Sequence, residues 1–425
     1  MKTNLRSRSK NVISNVIGRF FELEISHGKG SYLYTVDNKQ YLDFGAGIAV
    51  TSTGHCHPKI VKAIQDQAAT LIHPCIATGH YEAPIALAEK LCSILAPHEC
   101  SVFFNQSGSE AVETAIKLAR YVSKKQNIVA FKGGFHGRTY GALSLTSSKN
   151  KYWEGYGKLL ENIQFIPYPN TYRCPWGKQD PEDSLKKHLE ELENTALLNS
   201  DVAAIIIEPV LGEGGYFPAP KQYLKKLEEI CKKKNIFMIF DEIQSGIGRT
   251  GKWFDIQHNE LDFDIITSAK GIGSGMPLAA CIAKKEIMDK WPPGAHGGTY
   301  GANPVTCAAG LATLSVVEEI LPNISPMSEK GFSLLRSKLE DHKYVGNIRG
   351  KGFMFGIEFV KDKQSKEPNK DIISLILKNC IAKGLIVMSC GVNDNVIRIM
   401  PPLTCSEEEL LTGLNILTEV INDIH

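Results

Sequence analysis

The sequence predicts an α/β protein: a parallel sheet covered by helices on both faces, with a smaller α+β unit beside it. Three observations predict this. Between about residues 101 and 310, short β-rich apolar runs alternate with longer helical patterns, the order that builds a helix-covered parallel sheet. Those runs are continuously apolar, as strands buried on both faces require. Beyond about residue 310 the order changes to a helix, then strands, then a terminal helix.

Taken in order, Gly30 to Val36 and Gln40 to Phe44, separated by Asp37-Asn38-Lys39, read as a small hairpin. A helix is expected from near Pro58. The clearest strands are Ser101 to Phe104, Ile128 to Phe131, Val202 to Ile207, Ile236 to Phe240 and Ile265 to Thr267. The charge run in Lys221 to Lys234 marks a solvated helix face. Later strands are expected around Gly352 to Phe359 and Val396 to Met400, and a last helix from Ser406. The expected division is an N-terminal segment, 1–65, that joins a small domain, then a large domain, 66–310, and a C-terminal small domain, 311–425. Ligands in such sheets bind at the carboxyl ends of the strands, so the residues following each run are the ones to inspect.

With 425 residues, 43% of them hydrophobic, the chain can bury a large core. Its 48 basic and 46 acidic residues leave a net charge of +2, which offers no long-range field for nucleic acid or an anionic membrane. Small charged substrates are the expected partners. Eleven cysteines, none in a Cys-x-x-Cys pair, suggest neither a disulfide framework nor a metal site. A reducing, cytoplasmic setting is expected. Arg6, Arg8, Lys10 and Arg19 among several serines resemble a transit peptide in composition, but lead into folded-looking chain with no spacer.

Several strand ends carry candidate chemistry. Lys270 follows the run Ile265 to Thr267 and sits in an uncharged loop with Gly271, Gly273 and Gly275, where a flat ring can approach backbone. Removed from water, a lysine loses its proton more readily and can act as a nucleophile toward a carbonyl. Asp241 ends the run Ile236 to Phe240, placed to pair with a protonated ring nitrogen and keep the ring an electron sink. Both are parts needed to hold pyridoxal phosphate. Asn105-Gln106-Ser107-Gly108-Ser109 opens a helix, and its free N–H groups suit either a phosphate or an ordinary helix cap. Lys132 to Arg138 offers the Phe135 ring for stacking and the Arg138 guanidinium for a carboxylate; His136 beside them reads as catalytic or merely packed. Glu208 and Glu213 follow another buried strand, and Gly297-Gly298-Thr299 is a turn or a phosphate contact.

With these residues in hand, the chain resembles the class III (subgroup II) pyridoxal-phosphate aminotransferases of fold type I. The resemblance runs from Tyr41-Leu-Asp-Phe-Gly-Ala-Gly-Ile48 to Arg398 and the final helix. It implies a mostly parallel, seven-stranded type of sheet and a homodimer or dimer of dimers. It also implies that Lys270 bonds the cofactor's aldehyde, Asp241 partners the pyridine nitrogen and Phe135 stacks on the ring. Gly108 and Ser109 would hold the phosphate, joined by Thr299 from the other subunit, and Gln244 would lie on the phenolic-oxygen side. Glu208 lies beside the substrate in relatives. In similar enzymes Glu213 pairs with Arg398 while an ω-amino acid binds and swings away when glutamate needs that arginine. Arg138 would take the distal carboxylate.

Ile48, Arg138, His73-Pro-Cys75 and Cys390-Gly391 with Asn395-Val-Ile-Arg398 are most similar to 4-aminobutyrate aminotransferases. That implies ping-pong transfer from 4-aminobutyrate to 2-oxoglutarate, giving succinate semialdehyde and glutamate. One departure stands out: Ile76-Ala77 replaces the Phe-Gln usual in those bacterial enzymes. The alternatives are an acetylornithine or ornithine aminotransferase and, in another class, a pyridoxal-phosphate aminomutase or decarboxylase. A non-catalytic cofactor-binding protein would be expected to have lost Lys270 or Asp241, and both are present.

Overall fold

The computed structural model describes residues 4–195 and 201–424. The predicted hairpin forms as β2 (Tyr32–Thr35) and β3 (Gln40–Asp43), preceded by a further strand, β1 (Ile25–Lys29). The helix Pro58–Thr70 follows, with Pro58 at its first turn, where a missing N–H costs nothing.

The core holds β4 (Cys100–Asn105), β5 (Asn127–Phe131), β6 (Ile163–Ile166) and β7 (Val202–Ile207). A two-residue pair, β8 (Val210–Leu211) and β9 (Phe217–Pro218), interrupts it before β10 (Phe237–Asp241), β11 (Ile265–Ser268) and β12 (Ala279–Lys284). Apart from that pair these form one seven-stranded sheet in the order β4-β12-β11-β10-β7-β5-β6. Only β12 runs antiparallel to its neighbours, β11 and β4. Every residue of β7 is buried, as its unbroken apolar run requires. A fully buried side chain of this kind contributes roughly 2 kcal/mol. The order of connections brings the carboxyl ends of β4, β5, β7, β10 and β11 to one edge.

Beyond the core come β13 (Val345–Lys351), β14 (Met354–Phe359), β15 (Leu385–Ile386), β16 (Met388–Cys390) and β17 (Val396–Ile399). Four of them make the sheet β13-β14-β17-β16, while β15 pairs in parallel with β3, so the two ends of the chain share a sheet. The last helix, Glu407–Asn422, starts at Ser406 with a reciprocal capping box to Glu409. Among the described residues, one helix, Pro304–Leu339, is long and apolar enough to cross a membrane, and 56% of its apolar window is buried inside the protein. It packs against Pro58–Thr70, Glu82–Ile94 and the terminal helix.

Candidate active site

Lys270 lies two residues beyond β11, at the start of the single turn Lys270–Ile272. Its φ of +48° is left-handed, a conformation a lysine rarely adopts and one that concentrates at functional sites. The side chain is half-buried, and among the described residues its amine has no hydrogen-bond or ion-pair partner. Burial lowers its pKa from 10.5 to about 8, helped by Arg398 and opposed by Glu208, Asp241 and Glu213.

Asp241 closes β10 and is 3% exposed. Its Oδ2 lies 2.7 Å from Nδ1 of the buried His136, while its Oδ1 accepts from the Thr267 hydroxyl at 3.1 Å and the Ile243 N–H at 3.2 Å. Three partners fix the plane of the carboxylate. The His136 N–H donates to Thr146 at 2.9 Å. Burial works against a charged His136, but the hydrogen bond and charge of Asp241, with Glu208, outweigh it and raise the pKa. The imidazole is therefore both packed and bound to the acid, a role the sequence left open. Thr267 was missed, although it stands directly across from Asp241 in the β10–β11 register.

Glu208 follows β7 and accepts the Phe135 N–H at 2.8 Å and the Gly212 N–H at 2.9 Å. Its pKa rises to about 7, chiefly through burial, with His136 opposing and Asp241 adding. Gln244 accepts the hydroxyl of Tyr216 at 2.8 Å, a second residue with no sequence signal.

At the other end, Ser107 caps the helix Gly108–Ser123 by accepting the Glu110 N–H. The N–H groups of Gly108 and Ser109, in the first turn, have no intrahelical acceptor. Gly137 brings its backbone so close that a Cβ there would lie 2.2 Å from the Ser109 hydroxyl.

A cavity of about 340 Å³ joins these parts. Gly108, Ser109, Phe135 and Arg138 line it, and so do Glu208, Asp241, Gln244 and Lys270. The amide nitrogen of Gln106, also on its wall, is buried without a partner. An unpaired amine, a fixed carboxylate, free N–H donors and an aromatic ring around one such space fit pyridoxal phosphate.

Four further candidates sit outside this wall. Glu213 and Arg398 form an ion pair at 2.7 Å, with side chains 16% and 3% exposed. Burial opposes the charge on Arg398, yet the facing carboxylate prevails and raises its pKa. Ile48 is exposed in the turn Ala46–Ala49 with a φ of +67°, an outlier for a β-branched residue. Thr299 is exposed in the loop before the helix Pro304–Leu339. Tyr152, unremarked in the sequence, places its ring edge-on to Phe135 with centroids 5.7 Å apart and its hydroxyl 3.5 Å from Glu213 Oε1.

Comparison with known proteins adds an independent line. Residues 13–421 match the family described as aminotransferase class-III. A protein of Bacillus subtilis (strain 168) named "Probable 4-aminobutyrate aminotransferase" is 38% identical over 92% of this chain and 91% of its own length. The alanine/serine racemase of Pyrococcus horikoshii is 37% identical over 99% of this chain and 90% of its own. Among solved structures, an amine transaminase from an uncultivated Pseudomonas species, in its pyridoxal-phosphate-bound form, superposes with a TM-score of 0.90. It is 28% identical, with 97% of this chain and 99% of that one covered.

Proposed function

The chain belongs to the class-III aminotransferase family, with pyridoxal phosphate as its cofactor, and we propose that it moves the amino group of 4-aminobutyrate to 2-oxoglutarate. The products are succinate semialdehyde and glutamate. The observation that carries this reading is the Glu213–Arg398 pair together with Arg138 on the cavity wall, whose guanidinium lies over the Tyr152 ring and has no carboxylate partner among the described residues. An ω-amino acid has one carboxylate, which Arg138 binds while Glu213 keeps Arg398 neutralised. Glutamate and 2-oxoglutarate have two, and the second requires Arg398.

The cofactor supplies an aldehyde for the amine and a ring that accepts electrons from the substrate carbon. The chain does the rest. Lys270, with a pKa near 8, is the amine that would hold the aldehyde and, when free, would move a proton at the substrate carbon. Asp241, fixed by His136 and Thr267, keeps the ring nitrogen protonated. Phe135 would pack on the ring, Gly108 and Ser109 would donate to the phosphate, and Gln244 would face the phenolic oxygen. Glu208 holds the Phe135 backbone at the substrate side, and Ile48 gives that side an apolar boundary. The exposed Thr299 completes the phosphate site of a second subunit in a homodimer or dimer of dimers.

A second reading, racemisation of an α-amino acid, is favoured by the similarity to the alanine/serine racemase. The two separate in a panel of amines mixed with the holoenzyme in the absence of an acceptor. Transamination changes the cofactor spectrum with 4-aminobutyrate, 5-aminovalerate and glutamate. Inversion of L-alanine without net loss of its amine, with 4-aminobutyrate inert, would reverse the assignment. A response to glutamate and N-acetylornithine or ornithine alone would move the enzyme to those donors.

A further inference from the structure

When a two-carboxylate substrate takes Arg398, the carboxylate of Glu213 loses its partner in a site where its side chain is only 16% exposed. A carboxylate stranded there is strongly disfavoured unless another donor receives it. Two groups face it. The Tyr152 hydroxyl already lies 3.5 Å from Oε1. Lys149, which precedes the turn Asn150–Tyr152, has a side chain only 8% exposed, and its ammonium pairs with the outward-facing Asp394. Burial lowers the Lys149 pKa, and the carboxylate of Glu213 is the leading charge that opposes this. The loop that carries Asp394 is tied to the same place, since the Gly391 N–H donates to the Glu213 carbonyl at 2.8 Å.

We propose that Lys149 and Tyr152 form the second seat of the Glu213 carboxylate, occupied when Arg398 binds an α-carboxylate. They are positioning residues that set the balance between one-carboxylate and two-carboxylate substrates. This rests on the dual-substrate reading above. In the resting state Asp394 holds Lys149, so the aspartate and Glu213 compete for one ammonium.

The test uses the holoenzyme and two ligands that cannot transaminate, glutarate with two carboxylates and butyrate with one, their binding measured by calorimetry. Lys149→Met should weaken glutarate about ten-fold or more, the worth of a hydrogen bond to a charged group, and leave butyrate unchanged. Tyr152→Phe should weaken glutarate in the same direction by less, and keeps the test readable if the lysine variant does not fold. Asp394→Asn releases Lys149 and should tighten glutarate, whereas a merely structural Lys149–Asp394 anchor would weaken it. In a Glu213→Gln background the Lys149 effect should vanish. Parallel weakening of both ligands, or an effect that survives Glu213→Gln, would overturn the proposal. Failure of the substrate reading is seen separately, in the response to amines.

Discussion

Lys270 combines a left-handed backbone, a half-buried amine without a partner among the described residues and a pKa lowered to about 8. Burial lowers the pKa most, and the positive charge of Arg398 adds to it. An amine attacks an aldehyde only when neutral, so the fraction able to do so rises with pH through its own pKa. Capture of added pyridoxal phosphate by the apoprotein should therefore quicken with pH, reach half its maximum near pH 8 and level off above it. Stopped-flow absorbance measures this. A rate still climbing toward the ordinary lysine value of 10.5 would show that the site does not depress the amine. The placement of Lys270 and Asp241 at strand ends was legible because each follows a continuous apolar run. His136 and Thr267 were not, because their roles come from contact with Asp241 across separate strands and loops.

At the scale of elements, what matters is that five strand ends and one helix start converge. The close approach of the loop 132–138 to the helix Gly108–Ser123 is the tightest of these junctions. Gly137 sits at φ +132° with the Ser109 hydroxyl where a Cβ would go, and the Arg138 N–H donates to that hydroxyl at 3.2 Å. Gly137→Ala should push Ser109 away from the helix start, cost about 1–3 kcal/mol as overpacking does, and weaken retention of the cofactor. Dialysis against a cofactor-free buffer, with a melting curve alongside, reads both effects, and unchanged retention would separate Ser109 from the phosphate. The strands themselves were legible wherever a run was long and apolar, with bounds within a residue or so. β6 and β12 were not named: Ile163–Ile166 is short and broken by Gln164, and Ala279–Lys284 is rich in small residues. Tyr152 lay in an irregular stretch where spacing carries no signal.

Across the whole molecule, the candidate site spans two sheets. The cofactor end is built on the carboxyl edge of the seven-stranded sheet, while Arg398 comes from β17 in the sheet β13-β14-β17-β16. Their docking is held by buried polar contacts that no sequence pattern announced. Arg249, 1% exposed, donates to the Pro401 carbonyl at 2.5 Å, and Lys351 pairs with the buried Asp255 at 2.8 Å. On the proposed reading, substrates of one and two carboxylates meet Lys270 at the edge of one sheet and Arg398 on the other. One pocket, on that reading, serves both halves of a transfer. Mixing nitrogen-labelled 4-aminobutyrate with 2-oxoglutarate and the holoenzyme tests it most directly. The label is expected to leave the donor and to be found in glutamate, in step with succinate semialdehyde. Label that stays in 4-aminobutyrate, while glutamate alone exchanges its nitrogen with the cofactor, would contradict it.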